Sequence, residues 1–151
     1  MVRSGYAVGL VGAALVAVAN TPVSAEVRDA VYRGTMVCDK LPFSAGMGRE
    51  AIEVTIAGGK ISYTHIVRLY NAAEAAPEQG TGTLNGDNIS LQGSWKGGSR
   101  QYEAKYSGAV VRRHADLKGT QTWNDGGKTI TRACSATIKR PFKVFLPGDK
   151  K

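Results

Sequence analysis

Cysteine is nearly missing from this chain: Cys38 and Cys134 are the only two in 151 residues. There is no Cys-x-x-Cys pair to suggest a redox role, and the two cysteines with His65 and His114 match no metal-ligand spacing. No metal and no cofactor are expected. Acidic residues are short, 12 against 20 basic ones, for a net charge of +8. Such a surface favours association with anionic partners and also keeps a small domain soluble. Catalytic and nucleic-acid signatures are missing as well: there is no Gly-rich phosphate loop, no Ser–His–Asp pattern and no RNA-binding aromatic motif. These absences favour a binding protein without specific nucleic-acid recognition, and leave an unrecognised hydrolase as the remotest alternative.

Long apolar runs are missing after the first 25 residues. Within those, Arg3 precedes the small-residue run "YAVGLVGAALVAVA", and "VSA" places Val23 and Ala25 where a signal peptidase would cut. The run is short for a membrane span. The expectation is a signal peptide over 1–25, cleaved near Ala25, and a single periplasmic or secreted domain over 26–151 with no transmembrane segment. In an exported chain the two cysteines then predict one disulfide, Cys38–Cys134.

What is present is alternation. Apolar residues recur at every second position between Gly-rich turns, which predicts eight strands at 30–38, 50–57, 60–70, 80–85, 89–96, 100–110, 115–123 and 128–140. Hairpin pairing around Gly58-Gly59 sets Ile56, Val54 and Ile52 opposite Ile61, Tyr63 and His65. Around Arg112-Arg113 it sets Tyr106 opposite Gly119. Around Gly97-Gly98 it sets Gly93 opposite Tyr102, and around Asp125-Gly126 it sets Gly119 opposite Arg132. In each hairpin the apolar faces meet, and Ser, Thr, Lys and Glu fill the other face.

The stretch "LQGSW" at 91–95 is echoed by "LKGTQTW" at 117–123. Glycine on an inner face lets a strand curve and lets a cross-strand ring lie over bare backbone, and tryptophan fills the space near the strand ends. Pairing the first and last strands so that Cys38 meets Cys134 also sets Met36 by Ala136 and Gly34 by Ile138. The disulfide would then staple the seam of a closed eight-stranded antiparallel up-and-down barrel. A β-sandwich is the alternative. Strand number, next-neighbour turns and length resemble the calycin shape of avidins and lipocalins. "GTLNGDNISLQGSW" is avidin-like over one hairpin, and the lipocalin Gly-x-Trp is missing near residue 26. The resemblance implies the all-β architecture and carries no binding residues.

Arg132 stands out. It shares the inner face of the last strand with Ile130, Cys134, Ala136 and Ile138, and an inward guanidinium needs a partner, water or a ligand. The expected site is an anion-binding cavity made by Arg132, Tyr106 and Gln121, with Tyr63 and His65 from the far wall and Trp95 and Trp123 as apolar walls. Its ligand would be a small, partly apolar anion. The alternative is an envelope- or protein-interaction module that works through its basic outer surface. Segment 70–80, "YNAAEAAPEQG", reads as a connector with one helical turn relating Glu74 to Glu78, or as a lid. The tail 139–151 carries five basic residues and two phenylalanines.

Overall fold

The computed structural model describes residues 29–44, 46–68 and 75–141. Eight antiparallel strands follow one another: β1 Ala30–Cys38, β2 Gly48–Ala57, β3 Lys60–Arg68, β4 Ala75–Asn85, β5 Asn88–Gly97, β6 Arg100–Val111, β7 His114–Asp125 and β8 Lys128–Lys139. Each pairs with the next, and β1 also pairs with β8, so the sheet closes into a barrel and the sandwich alternative falls. The Cys38–Cys134 disulfide forms at that seam, with Met36 opposite Ala136 and Gly34 opposite Ile138 as expected.

Side chains of a strand alternate between faces, and closure turns one face into the core. The inward set includes Tyr32 and Met36, Ile52 and Val54, Ile89 and Leu91, and Leu117 and Ile138, all buried. The outward set is Ser, Thr, Gln, Lys, Arg and Glu on almost every strand. Among the described residues no helix is long and apolar enough to cross a membrane. The described outward side chains of the wall also form no apolar band like that of a barrel that crosses with strands.

Two hairpins differ from expectation by a register step of two. Around residue 98 the partners are Trp95 with Tyr102 and Gly93 with Ala104. Around residue 126 they are Gln121 with Arg132 and Gly119 with Cys134. A tight hairpin needs positive φ at its central residues. Gly126 and Gly127 supply it at φ +56° and +86°, so the turn sits on them and not on Asp125-Gly126. In the other hairpin Gly98 turns, at φ +58°, while Gly97 stays in β5 against the Trp95 indole. A step of two preserves parity, so the inward faces are as expected. The hairpins at Gly58-Gly59 and Arg112-Arg113 have the expected registers.

The segment 70–80 differs more. Residues 75–80 belong to β4, which excludes both the helical turn and the lid there. Glu74 lies outside the described residues, as do the leader-like 1–25 and the tail from residue 142. Pro77 lacks an amide hydrogen and would break a ladder in a central strand. Here β4 pairs with β5 only from Gln79 onward, so Pro77 faces a partner on the β3 side alone. The strands β4 and β5 therefore part at this end of the barrel. The same end carries the 39–47 loop and the turns at 98–99 and 126–127, and it forms the mouth.

Candidate functional site beneath the barrel mouth

One cross-strand row creates the space for the site. Tyr63, Gly80, Gly93, Ala104, Gln121 and Arg132 are successive partners from β3 to β8. Three small residues in the middle leave room inside the barrel. The Tyr63 ring lies over both Gly80 and Gly93, where a Cβ at either position would collide with it. Tyr63, not Tyr102, thus covers Gly93, while Tyr106 faces Gly119 as expected.

The row nearer the mouth supplies Glu78, the partner of His65. Glu78 is 0% exposed. Its Oε1 accepts from the Tyr63 hydroxyl. Its Oε2 accepts from Tyr102 Oη at 2.7 Å, Gln121 Nε2 at 3.0 Å, and Tyr106 Oη and His65 Nδ1 at 3.2 Å each. A carboxylate only accepts, so His65 carries its proton on Nδ1. Burial on its own would raise the Glu78 pKa. The hydrogen bonds from His65, Tyr63 and Tyr102 outweigh it and hold the carboxyl below the ordinary value. Burial first, and then the charge of Glu78, push the hydroxyls of Tyr63, Tyr102 and Tyr106 well above theirs. A carboxylate with five donors is a weak proton acceptor, so the cluster is suited to holding charge rather than to general base catalysis.

Gln121 links this anion to Arg132. Its Nε2 donates to Glu78 and, at 2.9 Å, to Tyr106 Oη. Its Oε1 accepts from Arg132 Nε at 2.7 Å and from Trp123 Nε1 at 3.3 Å. Both ends of the amide are used, which leaves one orientation. Arg132 is 6% exposed. Its Nη1 donates to the carbonyl of Asp39 at 3.3 Å. Burial lowers its pKa, opposed by the charges of its surroundings, among them Glu78 and Asp39. Among the described residues no carboxylate forms an ion pair with it.

Arg132 lies past the last β1–β8 pair, where the 39–47 loop takes over. The Asp39 amide bonds to the Ala133 carbonyl. Leu41 is buried in the core, and its backbone amide and carbonyl both bond Ser44 Oγ. Phe43 packs edge-on against Trp123 at 5.4 Å, under the Arg100 guanidinium at 4.5 Å. Trp123 is itself stacked on Tyr102 at 4.3 Å, with Trp95 5.9 Å away and the Arg132 guanidinium 5.6 Å from its ring. A recess of about 420 Å³ on β5 to β8 is lined by Trp95, Tyr102 and Trp123 with outward residues such as Lys96, Gln101 and Thr122, and Arg132 is not among its described lining residues.

All seven residues singled out from the sequence thus meet in two adjoining layers. Arg132, Gln121, Tyr106, Tyr63 and His65 join the polar network, and Trp95 and Trp123 lie in the aromatic layer. Sequence reasoning missed Glu78, Tyr102 and the loop residues Leu41 and Phe43. Glu78 shares parity with Gly80, Gly82 and Leu84, so extending that strand backward would have turned it inward. Among the described residues no group of three or more metal-ligating side chains gathers. Compared with models of known protein families and with curated proteins, the chain matches none.

Proposed function

We propose that the protein is an exported binding module that receives a small, partly apolar anion at its barrel mouth. Arg132 is the charge partner, Trp95 and Trp123 form the apolar wall, Gln121 holds the guanidinium in place, and Tyr106 fixes Gln121. Tyr63 and His65 act one step further back, through Glu78. The observation that carries this reading is the state of Arg132: a nearly buried cation held by one amide oxygen and one backbone carbonyl, without an ion pair among the described residues. A guanidinium has five N–H donors, and these two bonds leave several for an anion. The disulfide and the leader-like residues 1–25 support export.

Native mass spectrometry of the protein purified gently from its source tests the reading. A discrete mass excess, lost on denaturation and missing from Arg132→Met, is the expected result. A bare polypeptide mass in the wild type, minus two hydrogens for the disulfide, would overturn it, and so would an excess that Arg132→Met keeps.

A further inference from the structure

The outer wall carries a second feature, independent of the mouth. An open groove of about 740 Å³ crosses the β1–β8 seam and is bordered by Arg33 and Arg49 on one side and Lys118 and Lys139 on the other. Thr35, Ser135 and Thr137 pave its floor beside Val37. The register explains the layout. One outward row runs Arg49, Val37, Ser135, Lys118, and the next but one sets Arg33 opposite Lys139. Like charges directly opposite on a sheet repel. Arg33 is relieved by Glu53 at 2.7 Å, but Arg49, Lys118 and Lys139 form no ion pair among the described residues. Among the described residues the single carboxylate lining the groove, Asp116, accepts from the Thr137 hydroxyl at 2.6 Å. Lys139 also faces His114, and the exposed Arg112 beyond it carries positive charge on to the rim.

We propose that this groove binds an acidic polysaccharide, a chain of sugars bearing carboxylate or sulfate groups. The flanking cations meet its anionic groups, and the Thr35, Ser135 and Thr137 hydroxyls meet its own hydroxyls. An open track of cations and hydroxyls suits an extended sugar chain better than a membrane, whose interfacial binders bring large apolar residues to insert. Among the described residues no aromatic ring lines the groove to stack a base, which disfavours single-stranded nucleic acid. Counterion release makes such binding steeply salt-dependent.

Isothermal titration of the full chain with a size-defined sulfated octasaccharide and an octagalacturonate tests this. Arg49→Glu and Lys118→Glu are each expected to weaken binding by about tenfold or more. Lys96→Glu and Lys105→Glu, on β5 and β6 away from the groove, and Arg132→Met at the mouth should leave it within about twofold. Equal losses in both sets of charge reversals would mean unspecific attraction and overturn the proposal. So would binding that ignores the groove variants, or binding to phosphatidylglycerol vesicles with none to either oligosaccharide.

Discussion

Arg132 donates its Nε–H to Oε1 of Gln121 at 2.7 Å, and through that one amide a buried cation and a buried carboxylate share the barrel interior without touching. Gln121→Glu would set a second carboxylate about 3 Å from Glu78. Two carboxylates so close cannot both ionise, and one pKa rises strongly. A raised folded-state pKa contributes stability that is present below the unfolded value and is lost as pH rises through the folded one. The variant should therefore be about 2–4 kcal/mol less stable than wild type at pH 7 and recover part of the deficit at pH 5. Urea denaturation at the two pH values checks this, and a variant with wild-type stability at both would refute the geometry.

Glu78→Gln keeps the shape of the side chain and reverses the sign of the argument. Its amide nitrogen would face hydroxyls that now donate to a carboxylate, at a cost of about 2–4 kcal/mol near neutral pH. In the wild type the folded Glu78 pKa lies below the ordinary value. Its contribution is fully present above the unfolded carboxylate range, near pH 4–5, and is lost as pH falls through the folded value. Stability measured from pH 7 down to pH 3 should decline less steeply in the variant. Parallel curves would show that Glu78 does not titrate with folding.

Gly80→Ala tests the close approach of Tyr63. A Cβ at residue 80 would strike the Tyr63 ring and the Gln92 carbonyl. Overpacking of this kind costs about 1–3 kcal/mol. Gly46→Ala is the control, since a Cβ there meets nothing within 4 Å, and it should stay within about 0.5 kcal/mol of wild type. Thermal melts of the two variants should separate by several degrees, and equal melting temperatures would remove the role assigned to residue 80.

Leu41 is a loop residue buried like a core residue, at 1% exposed. If the 39–47 loop is an integral part of the core, Leu41→Ala costs about 2–4 kcal/mol, as a large-to-small change in a packed site does. A loss below about 0.5 kcal/mol would mean that the loop lies loosely over the mouth. Chemical denaturation separates the two outcomes.

Parity carried most of what was legible in the sequence. Ile52, Tyr63, Leu91, Tyr106, Gln121, Arg132 and Cys134 could be turned inward from alternation, because a strand has only two faces and the Gly-rich turns mark where each strand ends. That inference survived errors of two in register at Gly98 and Gly126, since a step of two changes the partner of a residue and not its face. The disulfide was legible for a related reason: two cysteines in the first and last strands of an up-and-down barrel become neighbours on closure.

Glu78 was hidden because Pro77 looked like the end of any strand. Only the barrel shows that β5 does not pair with β4 there, so the missing amide hydrogen costs no ladder bond on that side. The sequence by itself determined strands, inward faces, seam and surface charge, because these follow from local periodicity and the chemistry of each residue type. Tertiary structure decided that Glu78, Tyr102, Gln121 and Arg132 meet. Their meeting depends on closure and on the room left by Gly80, Gly93 and Ala104, a volume shared among three strands that no single stretch of chain records.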